Sequence, residues 1–484
     1  MTGIHTQRMS ILLKTNLLWI IIVNVALVVL YLSVSHKIHS SDINNSAYSN
    51  DVHIDQFKYN STELLVNSKN KTEVQLEKVI SGDCKGLLFP VHLSLEVRWR
   101  PVNKNQTAFV FSVYSMKDKR KLVIIGAKIK DHSTYYCQLW YRKDKYRSFN
   151  MEQRTARVIV LPEGHGKLYT AALFECLLTS SAIPDFVSVV NESCETPLHV
   201  LGVDQHFNKG TDRRLFTVCL TPLNYHYDGD SELVEWIELN KILGAEKFIV
   251  YNYSSSINVK RVLDLYSKRG TTEVVQWQLP MKVDSYQETK NPVEIHYFGQ
   301  IAALNDCMYR SKSHSEFIVN IDLDEFIIPH SDHAQTWSDM LEQLYKIKRK
   351  VYSAYLFRNT FFRKEWKNTN ISVLNKTLIE KYRLITLQKF EHEQNIYPVR
   401  VRSKYFARTS EIFSLMVHDV RGLSYTKMLA VSPKIGLLHH YRNCEDLYPA
   451  TADRVVDNTV IHKYGKTLVH NIQNVWLELQ KNFK

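Results

Sequence analysis

An α/β layer with a mostly parallel sheet, preceded by a β-rich N-terminal domain and a single transmembrane anchor, is the architecture that this sequence predicts. Three observations lead there. Strand-length and helix-length patterns alternate after Arg214, short β-branched and aromatic runs fill the region from Leu87 to Val160, and Leu17–Val34 reads LLWIIIVNVALVVLYLSV. Alternating strand and helix is the pattern of a parallel sheet covered by helices.

The apolar stretch comes first in the chain. A bilayer span needs about 20 apolar residues; Leu17–Val34 comes close, with Asn24 as its strongly polar member, and Ile11–Leu13 adds to it if Lys14 snorkels to the interface. A cleaved signal peptide has a shorter apolar core and a small-residue cleavage site, so an uncleaved anchor is expected. Arg8 and Lys14 precede the span and Lys37 follows it, which points weakly to a cytosolic tail at residues 1–16 and a lumenal remainder. N-x-S/T acceptors at Asn44, Asn60, Asn70, Asn105, Asn191, Asn252, Asn370 and Asn375 agree with a lumenal chain. So do seven cysteines without any CxxC spacing (Cys84, Cys137, Cys176, Cys194, Cys219, Cys307 and Cys444). In an oxidising lumen they form up to three disulfides with one thiol left over, in a pairing that sequence does not give.

Residues 35–80 are rich in Ser, Asn, Asp and Lys and read as a flexible stem. Residues 81–205 form the β-rich domain, with strands expected over Ala108–Tyr114, Leu122–Ile129, Tyr135–Tyr141, Ala156–Leu161, Ala171–Leu178 and Phe186–Val190. Residues 206–475 form the α/β domain. Leu215–Leu220, Lys247–Tyr251, Glu273–Gln278 and Glu316–Ile321 read as its strands, and Ser231–Leu243, Val259–Lys268 and Tyr297–Tyr309 as its helices. In the first helix, Leu233, Trp236, Ile237 and Asn240 share one face, Asp230 or Ser231 is the cap, and Gly244 marks the end.

Composition narrows the function. With 484 residues, 44% hydrophobic and 23% charged, the chain is an ordinary globular protein and neither a disordered nor a polytopic one. A net charge of +13 favours anionic partners such as phosphates, acidic glycans or lipid head groups. The charge is spread along the chain, so no nucleic acid is expected as a partner. Neither GxGxxG nor GxxxxGK[ST] occurs, which leaves dinucleotide and P-loop readings without their motif.

Asp322-Leu323-Asp324 is the sharpest chemical feature. On an extended segment, residues two apart project to the same side, and the carboxyl ends of strands are where open α/β sheets bind ligands. Two carboxylates held together call for a cation between them, and a hard divalent ion with oxygen ligands is the natural one. Such an ion bridges protein carboxylates to a nucleoside diphosphate.

The segments WIELNKILGAEKFIVYN, GQIAALNDCMYRSKSHSEFIVNIDLDEFIIP and LLHHYR, together with FVFSVYSMKDKR, resemble glycosyltransferase family 92 over roughly residues 107–465. The DLDEF run with Gln300, Asn305, Asp306, Cys307 and Arg310 is the most specific part. The resemblance implies a GT-A-like nucleotide-sugar-binding domain and Mn²⁺ as cofactor. It further implies a UDP-sugar donor, most often UDP-galactose, with inverting transfer to a glycan acceptor on a glycoprotein or glycolipid (core fucose or galactose of N-glycans among them). A single-pass type II Golgi membrane anchor is usual in that family. Carried onto this chain, Asp324 binds the metal and Asp322 holds either the ribose or the metal. Asn305 faces the nucleotide or else satisfies backbone, and His418 is a late metal ligand at the end of a strand over Phe413–Val417, or a packed histidine. His440 and Arg442, after His439, match the family's HYR ending, with Arg442 pairing either with the diphosphate or in a structural salt bridge.

Inverting transfer needs one base, expected to be Glu365 or, second, Asp419; Trp366 stacks on a sugar or lies in the core. Relatives often carry a glycine-rich segment where this chain has Phe361-Phe362-Arg363-Lys364-Glu365-Trp366, which leaves acceptor choice open. Two other classes compete: a lumenal hydrolase with paired carboxylates, and a non-catalytic membrane-anchored glycan-binding protein that kept the fold.

Overall fold

A computed structural model describes residues 84–482, apart from residues 85, 91–92, 117–118, 144–148, 204–212, 285–291, 368–375, 424–425 and 444–452. The expected anchor at 17–34 and stem at 35–80 lie outside the described residues. Among those that are described, no helix is long and apolar enough to cross a membrane.

The β-rich segment is a sandwich of two antiparallel sheets. One has five strands, in the order Arg100–Pro101, Ala108–Met116, Lys121–Ile129, Tyr169–Leu177 and Arg157–Val160. The other has four, in the order Phe149–Thr155, Tyr136–Arg142, Phe186–Val190 and Leu201–Gly202. Val110, Leu122, Ile124, Leu139 and Val187 meet between them. The strand Phe149–Thr155 (FNMEQRT) escaped the sequence reading because it carries too few apolar residues to alternate visibly.

The α/β part runs β1 (Arg214–Leu223), α1 (Asp230–Leu243), β2 (Lys247–Asn252), α2 (Ile257–Lys268), β3 (Thr272–Gln276), α3 (Gln300–Ser311), β4 (Ser315–Asn320), β5 (Glu325–Pro329), α4 (Trp337–Lys348), β6 (Ala354–Phe357), β7 (Asn359–Phe362), β8 (Lys404–Arg408), β9 (Met428–Ala430), β10 (Gly436–Tyr441) and α5 (Thr459–Asn482). Seven strands form a mixed sheet in the order β3-β2-β1-β4-β8-β6-β9. The first four are mutually parallel, and β8 runs antiparallel to both β4 and β6. A second sheet, β5-β10-β7, packs beside it. The chain winds outward from β1 to β3, then returns to lay β4 on the other side of β1. The strand order therefore reverses between β1 and β4, and their carboxyl ends frame a crevice.

Alternation along β1 assigns the two faces. Phe216, Val218 and Leu220 join a core with α1, α2 and α5. Cys219 faces the other way, onto α3 and the five-stranded sheet, where Trp99, Phe111, Ile249, Tyr251, Trp277 and Leu304 form one apolar cluster. The sandwich and the α/β layer thus share a core, and the described residues form a single compact unit. Three disulfides, Cys84–Cys194, Cys137–Cys176 and Cys219–Cys307, pair six of the cysteines. Cys444 lies outside the described residues.

Two expected ends moved. Gly229 precedes α1 without a side-chain cap, while Gly244 closes it at φ 119°, a left-handed conformation open to glycine. The helix expected from Tyr297 begins at Gln300, because Tyr297 and Phe298 adopt φ values of 37° and 53°. Non-glycine residues in that region carry strain. The Trp277 indole, which donates to the Phe298 carbonyl at 2.9 Å, holds the turn.

Candidate functional site

The D-x-D segment sits at the β1/β4 crevice. It is not extended, as the sequence reading had it, but turned: the Glu325 amide donates to the Asp322 carbonyl at 3.1 Å, and Leu323 and Asp324 occupy the turn. The turn is needed because β4 belongs to one sheet and β5 to the other, and the chain must change direction within a few residues. It gives the two carboxylates different partners. Asp322 accepts from the Thr221 hydroxyl at 3.1 Å, across the switch point, and from the Lys404 ammonium at 2.8 Å. Asp324 faces the His440 imidazole, Oδ2 to Nε2, at 3.3 Å. The Trp236 indole on the Asp322 carbonyl (2.8 Å) and the Tyr441 amide on the Asp324 carbonyl (2.7 Å) pin the backbone between them.

Below the turn lies a buried charge cluster. The Lys404 side chain is 0% exposed and lies 3.3 Å from Glu325, itself 1% exposed. Burial opposes a charged lysine, but Asp322 and Glu325 outweigh it and raise the Lys404 pKa. Burial pushes Glu325 above the ordinary carboxylate range, with Lys404 pulling the other way and Asp322 adding to the rise. For Asp324, burial also favours the neutral form, yet the hydrogen bond and charge of His440, with Lys364, hold the carboxyl below its ordinary value. Burial resists protonation of His440, and the carboxylates of Glu325 and Asp324 overcome it and raise its pKa.

Asp322 and Asp324 remain open to the crevice, at 33% and 27% side-chain exposure. Tyr297, carried by the strained turn before α3, is 43% exposed. Its hydroxyl is shifted up by burial first, and then by the charges of Asp322 and Asp324, with Arg442 opposing. Arg442, one residue beyond β10, is thus close enough for its charge to act on that hydroxyl. Lys364 pairs with Glu232 at 3.5 Å at its edge. The mouth combines carboxylates on one wall with Lys364 and Arg442 nearby, an arrangement suited to a ligand bearing phosphates and hydroxyls.

The donor set fits a divalent ion. Asp324 and His440 offer an oxygen and a nitrogen facing each other, a combination that manganese accepts. His440 Nδ1 lies 3.2 Å from Asn359 Oδ1, and a proton placed there leaves the Nε2 lone pair toward Asp324. Asp322 is already compensated by Lys404, so its free oxygen surface is better suited to a hydroxyl donor than to sole charge of a cation.

The other expected site residues are engaged as follows. Asn305 is 0% exposed. Its amide donates to the carbonyls of Ile301 (2.8 Å) and Leu415 (3.0 Å) and accepts from the Leu415 amide at 2.9 Å. It fastens the strand Ile412–Leu415 to α3 and has no side left for a nucleotide. Asn305→Ala is expected to cost about 1–3 kcal/mol of stability and to leave the donor KM of the folded fraction unchanged; a urea melt and donor saturation curves check both. Asp306 and Cys307, also prominent in the sequence, are likewise scaffold. Asp306 accepts from Ser112, from Tyr114 at 2.6 Å and from Tyr251 at 2.5 Å, and pairs with Arg310 at 3.1 Å.

His418 follows the strand that ends at Leu415 and contacts the Ser403 carbonyl at 3.2 Å. Burial first, then Lys404, lowers its pKa to about 4. It stands near the Lys404–Asp322 pair and not opposite Asp324; the histidine there is His440. Asp419 is held by Arg400 at 2.7 Å and Glu365 pairs with Arg363 at 3.6 Å. Trp366 is 5% exposed and carries the Arg454 guanidinium 4.4 Å from its ring centroid, so it is a packed residue. Asn252, an N-x-S position, is buried at the end of β2 and is closed to glycan attachment. Sequence reasoning missed Lys404 altogether, since a lysine in a β-strand 82 residues away carries no local mark.

The chain is similar to known proteins in family, in sequence and, over part of its length, in structure. The model of glycosyltransferase family 92 matches residues 214–483. A beta-1,4-galactosyltransferase of Caenorhabditis elegans is 27% identical over 115 residues, 23% of this chain and 25% of that protein. A glycosyltransferase family 92 protein of the same nematode is 26% identical over 234 residues, 47% of this chain and 42% of its own. The chain thus spans less than half the length of these curated relatives. Among solved structures, S. aureus TarS 1-349 covers 40% of this chain and 47% of its own at 14% identity, with a TM-score of 0.22. Glucosyl-3-phosphoglycerate synthase from Mycobacterium tuberculosis, in complex with Mn²⁺, UDP and glucosyl-3-phosphoglycerate, covers 55% and 80% at 12% identity, with a TM-score of 0.20. Superpositions this partial carry no structural argument.

Proposed function

Because this chain belongs to glycosyltransferase family 92, we propose that it is a metal-dependent inverting enzyme that moves galactose from UDP-galactose to a glycan acceptor, forming a β-linkage. The single observation that carries the reading is the placement of Asp322 and Asp324 at the topological switch point, with His440 facing Asp324 and Lys364 at the edge. The galactose donor is supported by the similarity to the nematode beta-1,4-galactosyltransferase. Leu17–Val34 as a type II signal anchor, with the catalytic part in the Golgi lumen, is supported by that apolar run, the N-x-S/T positions beyond it and the disulfides.

In this reading, Asp322 accepts a hydroxyl of the nucleotide ribose, and Arg442 and Lys364 pair with the diphosphate. Asp324 and His440 would hold Mn²⁺, and the chemistry supplied there would be positive charge against that developing on the departing diphosphate. The acceptor hydroxyl attacks the anomeric carbon from the face opposite UDP, and a carboxylate takes its proton in a single displacement. Glu365 is proposed for that base, since it adjoins Lys364 at the edge of the mouth; Asp419, tied to Arg400, is the weaker choice.

The test is an assay of UDP-sugars against a glycan array, with product mass and anomeric NMR. Chelation with EDTA is expected to stop transfer and Mn²⁺ to restore it. Turnover that persists in chelator sinks the metal role, and an α-linked product sinks inversion. In the same assay Glu365→Gln is expected to keep UDP binding and lose transfer; retained turnover removes it as the base.

A further inference from the structure

On the opposite face of β10 from His440, three potential ligands converge. His439 points away from Asp324 because successive strand residues face opposite sides. His330 Nε2 and His439 Nε2 lie 2.7 Å apart, and Asp457 Oδ2 is 3.4 Å from the first and 3.3 Å from the second. No other set of three or more His, Cys, Asp or Glu side chains is gathered this closely among the described residues. We propose that His330, His439 and Asp457 form a site for a zinc-type transition-metal ion, separate from the D-x-D crevice and structural in role.

Four observations carry this. The first is size. Tetrahedral zinc holds nitrogen and oxygen ligands at about 2.0–2.1 Å, which separates ligand atoms by about 3.3–3.4 Å. Two edges of the triangle already have that length, and the third opens by about 0.6 Å when an ion replaces a shared proton. The second is an orphaned ligand. The Asp457 side chain is 6% exposed, and its Oδ2 makes no well-aligned hydrogen bond and faces only the two imidazole nitrogens, at 3.3 and 3.4 Å, whereas Oδ1 accepts from the Thr459 amide at 2.9 Å. A buried carboxylate oxygen left in this way is costly, and a cation removes the cost. The third is orientation. His439 Nδ1 lies 3.4 Å from the Tyr441 hydroxyl, and a proton placed there leaves the Nε2 lone pair facing the centre. The fourth is ligand chemistry. Two imidazoles and one carboxylate suit zinc and its neighbours and not magnesium or calcium, which take all-oxygen shells. His330, 18% exposed, leaves room for a water as fourth ligand.

The three ligands come from the residue after β5, from β10 and from two residues ahead of α5. An ion there staples α5 to the second sheet, at the junction where Lys463 already donates to the carbonyls of Pro329, Ser331 and Ala334 at 3.0, 2.7 and 2.9 Å.

The experiment uses the full chain in detergent, as wild type and with Asp324→Asn, so that the crevice ion is accounted for. Elemental analysis is expected to find one zinc per chain in both. His330→Ala and Asp457→Asn are expected to lose it. Added Zn²⁺ should raise the melting midpoint of the zinc-stripped wild type by several degrees and leave His330→Ala unmoved. Cobalt substituted into the wild type should give the visible bands of a tetrahedral nitrogen–oxygen site, a readout that needs no folded variant. Three outcomes overturn the proposal: wild type without zinc and without a shift at saturating Zn²⁺, a cobalt spectrum that is octahedral, or zinc lost with Asp324→Asn and kept in His330→Ala.

Discussion

Replacing Asp324 with alanine is expected to lower transfer at least about 10³-fold, a loss of roughly 4 kcal/mol of transition-state stabilisation, while the protein stays folded. The side chain is 27% exposed and its close partner is His440. What ties the residue into the fold is its carbonyl, which accepts the Tyr441 amide at 2.7 Å and survives the substitution. Initial rates with UDP-galactose, set beside melting curves, separate loss of chemistry from loss of structure. A folded Asp324→Ala protein that still elongates glycans would remove the crevice from catalysis and favour the glycan-binding alternative.

Lys404→Met is expected to act in the opposite way, on stability first. The ammonium is fully buried between Asp322 at 2.8 Å and Glu325 at 3.3 Å. Its removal strands buried negative charge, which costs about 3–5 kcal/mol. The cost should depend on pH with a definite sign. Burial already holds the Glu325 carboxyl above its ordinary value, and loss of Lys404 raises it further. The folded variant then keeps a proton that the unfolded chain releases near pH 4.5. A folded state that binds more protons loses stability as pH rises. The gap between wild type and Lys404→Met is therefore narrow at about pH 4.5 and wide at about pH 7.5. Urea midpoints at the two pH values check it, and equal gaps would contradict the buried-pair account.

Much of the first four parallel strands was legible because buried parallel strands are short apolar runs bounded by breakers. Lys247–Asn252 and Ser315–Asn320 fall within a residue of where their sequences place them. Past Pro329 the pattern gave little, since the chain moves between two sheets and α5 begins after a stretch without strong punctuation. At the site, Asp322 and Asp324 were visible as a local motif. Of their partners, His440 was marked only by the family's HYR ending and Lys404 and Thr221 not at all, because all three come from other strands and pairing across a sheet leaves no trace in spacing. In the run Asn305-Asp306-Cys307 the sequence left Asn305 open between facing the nucleotide and satisfying backbone, and it does the second. The run is conspicuous because it is polar within a helix, yet each member is consumed by the scaffold: a backbone clamp, a hydroxyl-lined carboxylate and a disulfide to β1. A buried polar residue and a ligand-facing one look alike until their neighbours are known.

The apolar cluster that joins Trp99 and Phe111 to Trp277 and Leu304 bears on what counts as one piece of this protein. A cut at residue 206 would run along a seam with no solvent in it, leaving α3 and one side of β2 bare. The catalytic half is consequently not an exchangeable cassette: the sandwich upstream, which contributes none of the crevice carboxylates, is the wall against which that half is built.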